Sequence, residues 1–276
     1  MLSLPFSSKA ALLEILETSM RPIPLDWHDV LLGSQKIGAI SAPMFMIIEN
    51  FLNYEEHHLG FIRTSNSQLL FQAQDPYELS LDLRVLSEYL RDQGHLEGWR
   101  NEDFSWLDDE DHERFRMERS AFRTLGLQSR ATHVNGYTKQ NKLWLSKRSL
   151  SKSIDPGLLD NLSAGGIGAD ETIRNCALRE LWEEAGVSLE LARHIQPIGM
   201  ITTQRQIDGQ SNGLHHESLY SFDLLLPDSW QPQNQDGEVS EFILVNYEDA
   251  VSLILSEQLT QDSKIITSDF LLRHSS

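Results

Sequence analysis

Residues 165–187 read GGIGADETIRNCALRELWEEAGV. A glycine-rich approach gives way to Thr172, which suits a helix N-cap because its hydroxyl can accept from an amide two or three positions on. Beyond it Ile173, Ala177, Leu178, Leu181 and Ala185 fall on one apolar stripe, and Gly186 supplies a left-handed stop. The spacing predicts a helix over residues 173–185. On its other side Glu180, Glu183 and Glu184 stand at i, i+3 and i+4, within about 100° of arc. Like charges so close destabilise an isolated helix. A hard divalent cation removes that repulsion, and oxygen-only ligands favour Mg2+ or Mn2+ over zinc.

The same stretch satisfies the pattern G-x5-E-x7-R-E-U-x-E-E-x-G-U, with U apolar, at Gly165, Glu171, Arg179, Glu180, Leu181, Glu183, Glu184, Gly186 and Val187. A solvated acidic helix face does not account for Arg179, the glycine approach and the helix stop together. The stretch resembles the Nudix box. The resemblance implies an α/β/α sandwich with a mixed sheet, and hydrolysis of a phosphoanhydride bond by water. It implies that Glu180, Glu183 and Glu184 hold the metal and that the carbonyl of Gly165 joins them. Catalytic roles fall to Glu184, the first choice as general base, to Glu183, and to Arg179, which orients a carboxylate through an ion pair. Glu171 and Gly186 are structural, Glu171 bracing the loop. Glu238 or Glu241, in DGEVSEF (residues 236–242), adds a ligand or serves as the base; surface charge beside a strand is the equal alternative.

Away from the box, the chain reads as two α+β units. Residues 9–20 are apolar at helical spacing, residues 36–59 are β-rich with 44–48 as the strongest strand, residues 61–64 and 68–73 form a hairpin, and residues 79–93 are helical. These make a smaller mixed α+β accessory domain over residues 1–120. The acidic stretch 102–119 reads as an exposed connector leading into a helix over 116–125, its charge run a solvated face. The second unit, residues 121–276, carries strands at 133–138, 142–146, 198–204, 217–226 and 242–245. A flexible loop with Asp208-Gly209 and Asn212-Gly213 turns spans residues 206–214, and helices near 247–255 and 262–274 close the chain.

Composition limits the partners. The chain has 276 residues, 41 acidic against 23 basic, and a formal charge of −18. Such a field repels phosphate backbones and anionic bilayers, so no nucleic acid and no membrane is expected as a partner. The first twenty residues lack a basic region ahead of a sustained apolar stretch and do not read as a secretory signal. The single cysteine, Cys176, permits no internal disulfide, which makes a reducing, cytoplasmic setting the default. Within the predicted helix it reads as a small buried hydrophobe.

The resemblance continues past the box in RSAFRTLGL (119–127), THVNGY (132–137), LWLSKRS (143–149), PGLLDN (156–161), DGEVSEF and SDFLLRH (268–274), and in WRNE (99–102) of the first unit. These phrases are similar to thiamine pyrophosphokinase-associated Nudix proteins. That branch implies a small-molecule diphosphate substrate, namely thiamine diphosphate or its oxidised and damaged analogues, converted to monophosphates. The first domain would either shape the substrate pocket or pair two chains as a homodimer. Candidate substrate contacts are Arg148, Lys147, His133 and Asn135, with Arg148 preferred because its planar fork suits a phosphate. His215-His216 followed by Glu217 invites a metal reading but lacks further nitrogen or sulfur ligands nearby. Two alternatives stay open: hydrolysis of ADP-ribose or another nucleoside diphosphate derivative, and a non-catalytic Nudix module that binds a ligand.

Overall fold

The computed structural model describes residues 4–54, 59–72, 75–152, 154–207 and 213–275. The sequence folds around two sheets and a hairpin. The larger sheet has the order β11-β12-β7-β8-β13, built from β7 (Ser129–Tyr137), β8 (Lys142–Arg148), β11 (Gln196–Gln206), β12 (Leu214–Leu225) and β13 (Val239–Asn246). Two short strands extend it, β9 (Leu159–Asp160) on β8 and β10 (Ser163–Gly166) on β7. It is mixed: β12 runs parallel to β7, and the other pairs are antiparallel.

Strand alternation makes this sheet the middle of a sandwich. On β8, Leu143 and Leu145 enter a core with helices α7 (Tyr247–Leu255) and α8 (Gln261–His274), whereas Trp144 between them packs with Ala177, Leu181 and Ala185 of α5 (Ile173–Ala185). The expected α/β/α arrangement is therefore present. Helix α1 (Phe6–Glu17) also joins the α8 side, where Leu12 is fully buried. The first helix in sequence thus packs against the last.

The preceding α+β region has a four-stranded sheet, order β2-β1-β4-β3, made from β1 (His28–Leu32), β2 (Gln35–Ile40), β3 (Ile62–Ser65) and β4 (Gln68–Phe71). Residues 44–48, expected as a strand, instead lie in helix α2 (Ala42–Leu52). The Ser41 hydroxyl caps it by accepting from the Met44 amide, and Pro43 sits in the first turn, where no amide partner is needed. Met44, Ile48 and Phe51 then recur at helical spacing and are buried beside α3 (Pro76–Asp92). Burying each such side chain is worth about 1.5–3 kcal/mol, and only the helix places all three on one face.

The connector expected at 102–119 is an antiparallel hairpin, β5 (Asp103–Leu107) with β6 (Glu113–Glu118), and the following helix α4 is confined to Arg119–Thr124. Phe104, Trp106, Phe115 and Met117 alternate into the core, with the Trp106 and Phe115 rings stacked at 5.8 Å. The acidic run forms the turn: Asp108 accepts from the amides of Glu110 and His112 at 3.0 Å each, and Asp111 adopts φ 62°. Within the loop at 206–214, positions 208–212, including the Asp208-Gly209 turn, lie outside the described residues. No helix among the described residues is long and apolar enough to cross a membrane.

Candidate active site

Helix α5 is bounded as its sequence dictates. The Thr172 hydroxyl accepts from the Asn175 amide at 3.2 Å, and Gly186 ends the helix at φ 66°. Gly186 is required twice over, since a β-carbon there would also lie 2.5 Å from the Gln233 carbonyl. Strand β10 brings the glycine approach alongside, pairing Gly165 with Thr132 on β7. A β-carbon at Gly165 would overlap the Glu180 carboxylate, so the glycine opens a cradle into which that carboxylate fits.

Glu180 and Glu184 are buried at 8% and 5% exposure, and Glu184 accepts from the Ala164 amide at 2.9 Å. Burial pushes the Glu180 carboxyl up to about 7; Arg179 opposes this, while Glu183 and Glu238 add to it. Burial lifts Glu184 well above the carboxylate range, with Glu180 pushing the same way. Arg179 donates to Glu180 at 2.6 Å and to Glu183 at 2.9 Å, and its remaining donors fork onto Glu171. Burial acts to raise Glu171, but the Arg179 hydrogen bonds and charge outweigh it and hold this carboxyl below its ordinary value. The donor set fits a hard divalent cation. It consists of oxygens only, its two buried carboxylates repel one another, and Gly165 leaves room for the Glu180 carboxylate.

The N-terminal region reaches this site. Asp103 accepts from the Ala169 amide at 2.9 Å, the Ser105 hydroxyl donates to the Ala169 carbonyl at 3.3 Å, and Arg116 pairs with Asp170 at 2.7 Å. The Phe104 ring covers Gly166, where a β-carbon would lie 2.5 Å from Cζ. The β5–β6 hairpin therefore braces the loop that leads into α5. Glu238 is paired with Lys152 and, at 3.2 Å, with Arg100 of the WRNE phrase. Its charge is among those acting on Glu180, as those of Asp160 and Lys152 are on Glu184. Arg100 and Asp160 are marked in the sequence only as members of the phrases WRNE and PGLLDN, and Lys152 by no phrase at all.

Other expected contacts lie elsewhere. Arg148 pairs with Asp160 at 3.1 Å and donates to the Ile154 carbonyl through Nε and Nη2, so its fork is already engaged. Lys147 faces Glu241 at 3.5 Å, and both are exposed. His133 and Asn135 point to the α8 side of β7. There His133 meets Asn161 at 2.9 Å, Asn135 donates to Asp223 at 3.0 Å, and Asn161 donates to both Asn135 and Thr267. Thr132 and Val134, which alternate with them, face α5. His215, Glu217 and Asp262 do come together, with ligand atoms within 4.8 Å of one another. However, Arg205 pairs with Asp262 at 2.9 Å, the Ser129 hydroxyl donates to Glu217 at 2.8 Å, and both carboxylates act on the buried Arg123 guanidinium, so each already has partners within the protein. Cys176 is fully buried and burial pushes its thiol up to about 12.

Residues 127–270 match the NUDIX domain family. Nudix hydrolase 24, chloroplastic, of Arabidopsis thaliana is 37% identical over 164 residues, which are 58% of this chain and 44% of that protein. Nudix hydrolase 20, chloroplastic, of the same plant is 30% identical over 266 residues, 88% of this chain and 70% of that protein. The chain thus spans less than half the length of the first of these relatives. A solved structure, DR0079 from Deinococcus radiodurans, is 19% identical with a TM-score of 0.48, the match covering 62% of this chain and 98% of that one. With the domain match covering most of the second unit and a relative aligned along nearly the whole sequence, the chain belongs to the NUDIX domain family.

Proposed function

We propose that this chain is a Mg2+- or Mn2+-dependent pyrophosphohydrolase that cleaves the phosphoanhydride of thiamine diphosphate, or of its oxidised or damaged analogues, to the monophosphate. One observation carries the reaction type: Glu180 and Glu184, buried and mutually repelling, rest on β10, Glu180 in the space left by Gly165 and Glu184 on the Ala164 amide. Glu180, Glu183 and Glu184 would hold the metal, with the Gly165 carbonyl able to join them. When bound, the metal supplies neutralisation of the diphosphate charge and acidification of water. Glu184, in its ionised form, accepts the proton of the attacking water; Glu238 is the alternative acceptor or a further ligand. Arg179 keeps the carboxylates oriented, and Glu171 keeps Arg179 oriented. The substrate assignment rests on the flanking phrases and on their continuation into the N-terminal region. The cytoplasmic setting rests on the single buried cysteine; the two plant relatives bear chloroplastic names.

The test is monophosphate release from thiamine diphosphate, oxythiamine diphosphate, ADP-ribose and a dinucleotide, each with and without Mg2+. Metal-dependent turnover favouring the thiamine compounds is expected. Turnover of ADP-ribose alone would replace the substrate, and no metal-dependent turnover of any would sink the enzyme reading. Glu184→Gln is expected to reduce turnover by about two orders of magnitude or more while the circular dichroism stays native.

A further inference from the structure

Two cations converge on Glu238 from distant parts of the chain. Lys152, only 13% exposed in its side chain, pairs with one carboxylate oxygen, and Arg100 holds the other at 3.2 Å. Arg100 does not hang on a loose segment. The amides of Arg100 and Glu102 both donate to the buried Glu118 carboxylate, at 3.1 and 3.2 Å, and Asn101 between them takes φ 56°. This turn is fixed to the end of the hairpin that braces the box loop. Yet 43% of the Arg100 side chain stays open to solvent, so a ligand can reach it. Two cations on one carboxylate leave a local excess of one positive charge beside the acidic face of α5, in a protein whose overall charge is −18.

We propose that Arg100 and Lys152 bind the substrate's diphosphate, and that Glu238 occupies their donors until phosphate oxygens take its place. A guanidinium fork and an ammonium point charge are the two side chains that phosphates recruit, and Glu238 presents them with the same anionic oxygens. The N-terminal region then contributes a specificity-determining residue to the catalytic unit. This assignment rests on the hydrolase reading for its substrate, a small diphosphate ester, but diphosphate recognition can be measured without turnover.

The experiment is calorimetric titration of the full-length chain with methylenediphosphonate, with and without Mg2+, alongside steady-state kinetics on the turned-over diphosphate. Arg100→Ala and Lys152→Ala should each weaken methylenediphosphonate by about tenfold or more, with Arg100→Lys in between. KM should rise more than kcat falls. Glu238→Gln in metal-free protein should bind methylenediphosphonate more tightly than wild type, a gain that misfolding does not produce. Failure of wild type to bind methylenediphosphonate, or wild-type affinity in both alanine variants, overturns the proposal. Wild-type hydrolysis with KM unmoved by Arg100→Ala overturns it and spares the hydrolase reading. Binding that depends on Arg100 without cleavage of any substrate does the reverse.

Discussion

Arg179 and Glu171 are joined by two parallel hydrogen bonds of 2.8 Å, Nε to Oε1 and Nη2 to Oε2, across the first two turns of α5. The same guanidinium donates to Glu180 and Glu183 through Nη1. One planar group thus ties the loop before the helix to two carboxylates on it, which a lysine cannot reproduce. Arg179→Lys and Glu171→Gln should therefore act as a unit. Since Arg179 is about a third exposed, the stability coupling in a double-mutant cycle should be modest, about 1 kcal/mol. The loss of metal affinity should be larger, about 10–100-fold for either variant. Strictly additive effects on both quantities would show that the fork does not organise the site.

Gly165 and Gly168 provide a matched pair. At Gly165 a β-carbon collides with the Glu180 carboxylate, whereas at Gly168 it meets only the Glu102 carboxylate at an ordinary 3.6 Å. Gly165→Ala should displace Glu180 and lower Mg2+ affinity by about tenfold or more. Gly168→Ala should bind Mg2+ as wild type does. Both are read by titration of the folded protein, and equal losses would remove the cradle argument.

The Glu180 carboxyl, ordinarily at 4.5, is held up to about 7 in the folded chain by burial. A group that binds its proton more tightly when folded stabilises the fold fully below its unfolded value, and that contribution is lost as pH rises through the folded one. The metal-free thermal midpoint should therefore decline between about pH 4.5 and pH 7, and Glu180→Gln should flatten that decline. Mg2+ should stabilise wild type more above about pH 7 than near pH 5, because only the ionised cluster binds it. A Mg2+ shift independent of pH would contradict the burial of these carboxylates.

The helix at the centre of the site was legible because its cap, stripe, carboxylates and stop are all local features of residues 172–186. Residues 44–48 misled because MFMII suits a strand equally well; Ser41 and the spacing to Phe51 settle it as a helix. The β5–β6 hairpin is masked in the sequence by its turn, whose acidic run interrupts the alternation of Phe104, Trp106, Phe115 and Met117. Arg100, Lys152 and Glu238 meet only through tertiary packing, and no spacing in the chain encodes such a meeting.

Phe104 tests whether the N-terminal hairpin serves the site or merely adjoins it. Its ring covers Gly166, lies edge-on to Phe122 at 5.7 Å and carries the Arg119 guanidinium at 5.1 Å. Phe104→Ala should cost about 3–5 kcal/mol, the usual range for a large buried ring. Destabilisation alone would say nothing about function, so Leu86→Ala is the control: Leu86 is fully buried in the same core, on α3, and should cost about 2–5 kcal/mol. Compared well below both thermal midpoints, Phe104→Ala should bind Mg2+ more weakly than wild type, and Leu86→Ala should not. The difference arises because only Phe104 supports the backbone on which the Glu180 carboxylate rests. Equal Mg2+ affinity in the two variants would reduce the hairpin to a neighbour of the site.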